Sequence, residues 1–294
     1  MGLGTNQMTI TTGTKFIPDV WMNEVRAYLE ANLVVAKKCK LFPFQGRAGD
    51  TLHVPDVSAL VASTKAANTQ VTLQSPTENE FTLAIDQHLE SSVVIEDILA
   101  VQSAYNLRQE YTRSSGYAIA KAVDNQVAGL HATLTNRALG GDGITNFTDS
   151  KLTAPTNLTE AGIRRAIQSL DVADVPDDGN RCMVIHPSQK NVLLAIARFT
   201  EYQMLGPGGM PIRTGMFGEI FGLPVYFSTN VSSSGTGWAN LVMHQNALSL
   251  ALQNGPRVQA QYKQEYLGWL LTVDVLFGKA IFRQNHACAL YTPT

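Results

Sequence analysis

Hydrophobic and polar positions alternate most clearly between Ser63 and Asp86. Val71 and Leu73 are flanked by Thr72 and Gln74, and Phe81, Leu83 and Ile85 are separated by Thr82 and Ala84. A period of two marks a strand with one buried face, so this stretch predicts a β-hairpin finger with a polar tip. A lone two-stranded hairpin is marginal in water. Ordering costs about 1.5 kcal/mol per residue, more than these few apolar side chains offset within the finger. The finger therefore needs a surface to lie on. Just before it, "TLHVPDV" at 51–57 reads as a short strand that Pro55 confines to an edge or a bend.

Helical periods flank the finger. In "FIPDVWMNEVRAYLEANLVVAKKC", Pro18 suits a helix start, and Val20, Met22, Val25, Leu29 and Leu33 fall near helical spacing. After the finger, a long helix is predicted from roughly Ile95 to Leu139, with Ile119, Val123, Val127, Leu130 and Leu134 as one stripe. Its middle, "NLRQEYTRSSG", is polar nearly all round, and a helix of that length spans about 60 Å. The glycines of "LGGDGITNF" end it.

Beyond Lys151 the pattern is mixed. A helix capped by Asn157 or Thr159 leads to a Pro-Asp-Asp-Gly turn, then "CMVIHPSQKNVLLAIARF" reads as strand, cap and helix. A long glycine-rich loop, "EYQMLGPGGMPIRTGMFGEIFG", precedes the strand "LPVYFSTNV". From "ALSLALQ" to the end the chain reads as strand upon strand. The fold class is α+β.

Composition narrows the functions open to such a chain. With 294 residues, 45% hydrophobic, it can bury a large core. Only 16% of residues are charged and the formal net charge is -2, which excludes the basic stripe of a dedicated nucleic-acid binder. Three widely spaced cysteines, Cys39, Cys182 and Cys288, fit unpaired thiols in a reducing compartment. Neither a signal-peptide core nor a transmembrane window stands out, so a soluble cytosolic chain with no membrane contact is expected.

Candidate chemistry is sparse. No phosphate-loop, nucleophile-elbow or zinc-protease motif occurs. "GPGGMP" at 206–211 lacks the lysine and strand-loop-helix setting of a phosphate cradle, and reads as a loop that tolerates close approach of other chains. His286 and Cys288 share a strand face, but a metal site needs three or four ligands. Cys182 and His186 form a conceivable nucleophilic pair, although Pro187 and Ser188 explain the neighbourhood as a helix start. Glu96-Asp97 and Asp177-Asp178 read as a helix start and a turn. Trp21, Trp238 and Trp269 read as core or interface anchors. No catalytic residue, metal or cofactor is expected, and the chain is not expected to be an enzyme.

An arm, a projecting finger, a long helix and a glycine loop, in that order, suit a chain that is tiled with its copies. Several stretches carry a resemblance: "FIPDVWMNEV", "DVADVPDDGNRCMVIHPSQKNVLL", "EIFGLPVYFSTNV" and "VDVLFGKAIFRQNHACAL". They resemble, in order over essentially the whole chain, the major capsid proteins of tailed bacteriophages with the HK97-type fold. Asn180, between Gly179 and Arg181, is a small departure.

That resemblance implies an N-terminal arm (1–40), an extended β-hairpin loop and its base (41–94), and a peripheral domain with a spine helix (95–150). It further implies an axial domain (151–250), peripheral-domain strands (251–283) and a C-terminal strand returning to the axial domain (284–294). The extended loop lies across a neighbouring subunit, which nominates Lys65, Asn68, Gln70, Val71, Leu73, Phe81 and Leu83 as contacts. Gly206, Pro207, Gly208 and Gly209 fall near the capsomer axis.

The implied assembly is an icosahedral shell of hexamers and pentamers around a double-stranded DNA genome that is contacted weakly. Its location is the virion, after assembly in the host cytoplasm with a separate scaffolding protein, a portal and a decoration protein. Some relatives join the loop to a neighbour through a Lys-Asn bond; Lys65 is the lysine on the finger, with Asn254 and Asn285 as candidate partners. The alternatives are an encapsulin-like compartment, a hydrolase using Cys182 and His186, and another virion component such as a tail protein.

Overall fold

A computed structural model describes residues 34–44, 48–58, 60–71, 73–76, 78–98, 107–141, 155–196, 218–234 and 237–293. The strands are β1 (Lys40–Pro43), β2 (Thr51–Val57), β3 (Glu78–Ala84), β4 (Gln87–Glu96), β5 (Asn136–Leu139), β6 (Arg181–Ile185), β7 (Glu219–Ile220), β8 (Leu223–Phe227), β9 (Ser233–Ser234), β10 (Gly237–His244), β11 (Leu248–Lys263), β12 (Gly268–Ile281) and β13 (Ala287–Pro293). The α-helices are α1 (Leu107–Ala128), α2 (Glu160–Val172) and α3 (Ser188–Leu194).

Two larger sheets and one ribbon result. A four-stranded sheet runs β1-β11-β12-β4, a seven-stranded sheet runs β5-β13-β10-β6-β8-β7 with β9 on β10, and β2 pairs with β3 alone. The seven-stranded sheet explains why its strands read as continuous apolar runs. Cys182 and Val184 of β6, Leu241 and Met243 of β10, and Ala287, Ala289 and Tyr291 of β13 enter one core. Their neighbours Met183, Ile185, Val242, Cys288 and Leu290 enter the other. Successive side chains point to opposite faces, and both faces are covered.

α2 covers one face through Ile163, Ala166 and Leu170. The capping alternative resolves to Thr159, whose hydroxyl accepts from the Gly162 amide at 3.1 Å. α1 lies between the two sheets: Ile119, Val123 and Val127 share a core with Leu271, Val273, Val275 and Phe277 of β12 and with β10.

The long-helix expectation is corrected at its C-terminal end and trimmed by two residues at its start, where Asp97 and Ile98 are helical. Residues 87–96 form β4, which pairs with β12 from Gln87↔Phe277 to Glu96↔Gly268. Its inward side chains alternate down to the buried Ile95, a period of two that the helical reading overlooked. At the other end α1 stops at Ala128, a 3-10 turn covers Gly129–Thr133, and β5 follows in parallel with β13. The described helix is 22 residues, about 33 Å. Its polar middle is also not uniformly outward. Thr112 and Ser115 are buried, and the Thr112 hydroxyl donates to the Arg108 carbonyl at 2.8 Å.

The finger's outgoing strand is β2, not Val71–Gln74; residues 60–71 and 73–76 form no strand. β2 and β3 pair antiparallel from Thr51↔Ala84 to Val57↔Glu78, with Pro55 opposite Glu80. A two-stranded ribbon leaves outer edges unpaired, which is where a residue lacking an N–H fits.

Candidate functional site

The finger divides into a root and a tip. At the root, Leu83 is fully buried, packed with Phe44, Ile85 and Ala251 and flanked by Phe42, Leu52, Phe81, Leu276 and Ala280. Phe42, Phe81 and Phe282 form a ring triangle with centroids 5.1 to 6.4 Å apart. Lys40 places its ammonium 4.1 Å from the Phe282 centroid. Gly278 of β12 lets the root come this close, because a Cβ there would overlap the Ala84 carbonyl oxygen. The root thus lies on its own chain's four-stranded sheet. Leu83 has no surface left for a neighbour, and Phe81 keeps only part of its own.

The tip has no such support. Val57, Leu60, Val61, Val71 and Leu73 are 77, 69, 73, 60 and 87% exposed. The chain reverses at Ala66–Thr69, where Asn68 takes the left-handed conformation at φ 59° and the Thr69 hydroxyl donates to the Ala66 carbonyl at 2.7 Å. A side chain closes the loop where the ladder has ended. Val61 N–H donates to Gln74 Oε1 at 3.0 Å, and Gln74 Nε2 donates back to the Val61 carbonyl.

Of the nominated residues, Lys65, Asn68, Gln70, Val71 and Leu73 are all exposed on the tip. Val57, Leu60 and Val61 were missed. The apolar run "VSALVA" at 57–62 was their signal, passed over because it falls outside any alternating pattern. Gly206, Pro207, Gly208 and Gly209 lie outside the described residues. Asn285 is exposed beside the finger root, and Asn254 sits at an irregularity of the β11–β12 ladder.

The other candidates take structural roles. Cys182 and His186 are four residues apart along an extended chain, about 13 Å, so no nucleophile–base pair is assembled. The Cys182 thiol is pushed up to about 11 by burial, while the His186 ring stacks on Trp238 at 4.0 Å. Burial likewise pushes Cys288 up to about 12, and no metal-ligand cluster occurs among the described residues. Asp178 accepts from Asn180 and sits 3.1 Å from His244 Nε2, which ties the turn before β6 to β10. Asn180 and the amide of its own backbone hold the Asp178 carboxyl down to about 2, with a smaller contribution from His244. Asp97 accepts from the Tyr262 hydroxyl at 2.8 Å. Among the described residues no helix is long and apolar enough to cross a membrane.

Comparison with known proteins bears on the family and the fold. A family model described as phage capsid protein matches residues 45–206, more than half of the chain. No curated protein matches the chain. Among solved structures, a chain from Mycobacterium phage Che8 is similar at 22% identity, over 83% of this chain and 85% of that one, with a TM-score of 0.67. The capsid of cyanophage P-SCSP1u is similar at 18% identity over 87% of each chain, with a TM-score of 0.68. A virus-like particle from Pyrococcus furiosus is similar at 9% identity, over 94% of this chain and 99% of that one, with a TM-score of 0.58. The encapsulin-like alternative is less supported than the capsid reading, since the family match falls on phage capsids. By that match and by the fold it shares with these particles, the chain belongs to the phage capsid protein family and has the HK97-type architecture of a major capsid protein.

Proposed function

We propose that the finger tip holds the capsid together by lying across a neighbouring copy, which completes its apolar face. The observation that carries this is the cluster of five exposed aliphatic side chains on a loop whose own chain offers them no surface. Burying one such side chain fully contributes about 1.5–3 kcal/mol. Five give a gross figure near 7–15 kcal/mol, reduced by the cost of ordering the loop and fixing two subunits. In a closed shell every subunit gives one finger and receives another, so a modest contact is multiplied. Lys65, Asn68 and Gln70 supply the polar rim of the contact.

In this reading the four-stranded sheet with α1 forms the peripheral region, and the seven-stranded sheet with α2 forms the axial region. Gly206 to Gly209 face the axis of hexamers and pentamers. The shell encloses double-stranded DNA, which a chain of net charge -2 contacts weakly. Scaffold, portal and decoration proteins are separate partners, assembly takes place in the host cytoplasm, and the chain works as a structural component without catalysis.

The test is a chain carrying Val61→Asp and Leu73→Asp, analysed by sedimentation. Both positions are exposed, so the variant folds; with two charges in a desolvated contact it fails to form particles. Particles formed normally and with wild-type stability would overturn the proposal.

A further inference from the structure

Asp124 is a buried carboxylate in the last turns of α1 that the capsid reading does not use. Its Oδ1 accepts from the Val35 amide at 2.8 Å and the Ala36 amide at 3.0 Å, across 89 and 88 residues of sequence. Its Oδ2 accepts from Asn230 Nδ2 at 3.0 Å, and the same amide group donates to the Lys121 carbonyl at 2.8 Å. Among the described residues no cation pairs with Asp124. Lys38 places its ammonium over the Tyr226 ring instead, and the neighbouring thiol of Cys39 is itself buried. The Val34 amide also contributes, and all of these hydrogen-bonding partners are neutral donors.

These donors belong to two parts of the fold. Val35 and Ala36 open the 3-10 turn Ala36–Lys38 that leads into β1, the edge of the four-stranded sheet beside β11. Asn230 lies in the turn after β8, a strand of the seven-stranded sheet. Burial raises the Asp124 carboxyl above its ordinary value, and the hydrogen bonds it accepts oppose that shift. A leucine could fill the same volume, but it could not satisfy two main-chain donors and a side-chain amide.

We propose that Asp124 is a latch, a single carboxylate that fastens the stretch leading into β1 and the turn after β8 to one point of α1, so that both sheets are clamped to the helix between them. The latch stands independently of any contact made by the finger tip.

Three variants of the full chain, read by amide hydrogen exchange, separate the two arms. Asp124→Asn keeps an acceptor for Val35 and Ala36 but turns its own amide donor toward that of Asn230. Exchange should therefore quicken about tenfold or more around residues 228–232 only. Asn230→Ala should reproduce that pattern from the other side. Asp124→Ala should also release the Val35 and Ala36 amides, while amides of α2 and β6 keep their wild-type rates. Unchanged exchange at Val35 and Ala36 in Asp124→Ala, or equal acceleration in α2, would overturn the latch. If that variant does not fold, a 228–232 turn that exchanges at the wild-type rate in both Asp124→Asn and Asn230→Ala overturns it.

Discussion

Replacing Leu83 with alanine separates the finger's attachment to its own chain from its contact with the next. Leu83 is fully buried in a small cluster with Phe44, Ile85 and Ala251. Truncation there loses the transfer free energy of the removed carbons and leaves a cavity, together about 2–5 kcal/mol. The cluster is small and the partly exposed Phe81 packs against it, so it can collapse in part, and the lower half of that range is expected. Leu73, 87% exposed, has almost no contact to lose in the isolated chain, and its truncation should change stability by less than about 0.5 kcal/mol. The assay is urea unfolding of the unassembled chain, with the shift read in the midpoint at constant slope. Particle stability should respond to both substitutions. Equal midpoints for Leu83→Ala and wild type, or a Leu73→Ala shift as large as that of Leu83→Ala, would refute the division into root and tip.

Other outcomes follow from buried groups. His131 lies 3.0 Å from the Tyr291 hydroxyl, and burial with the nearby Arg137 charge lowers its pKa to about 4. Above pH 6.5 both folded and unfolded chains carry it neutral. As pH falls toward 4 only the unfolded chain takes the proton, so stability falls by up to about 3 kcal/mol. His131→Gln should flatten that part of the pH profile in urea unfolding, and an unchanged profile would contradict the assignment. Cys39, Cys182 and Cys288 are buried thiols whose ionisation burial opposes. A thiol reagent should therefore label all three only as fast as the chain unfolds, whereas fast labelling of Cys182 would reopen the hydrolase reading.

The legible parts of this sequence were those whose period and surroundings agree. β6 and β13 declared themselves as apolar runs, α2 by its amphipathic spacing, and β3 by strict alternation, while β10 went unread. The misreadings came where two signals overlapped. Ile95 is the last inward residue of β4, yet it also fits the start of a helical stripe, and Leu130 and Leu134 extend that stripe past the real helix end. Pairing with β12 decides the first case, a long-range fact that no local window contains. Thr112 and Ser115 hid the buried side of α1 because buried small polar side chains, such as Thr112 satisfied by the Arg108 carbonyl, look the same in sequence as solvent-facing ones. For the finger, alternation located β3 but misplaced its partner, since register depends on pairing. Leu83 and Leu73 look alike in the sequence. Only the sheet beneath Leu83 tells them apart.

The central claim is that the exposed tip becomes buried when copies assemble. Side-chain footprinting with hydroxyl radicals, on particles and on unassembled chain, tests it directly. Val57, Leu60, Val61, Val71 and Leu73 should lose most of their labelling in the particle, while Leu83 stays unlabelled in both. Tip residues labelled as strongly in particles as in the free chain would contradict the account.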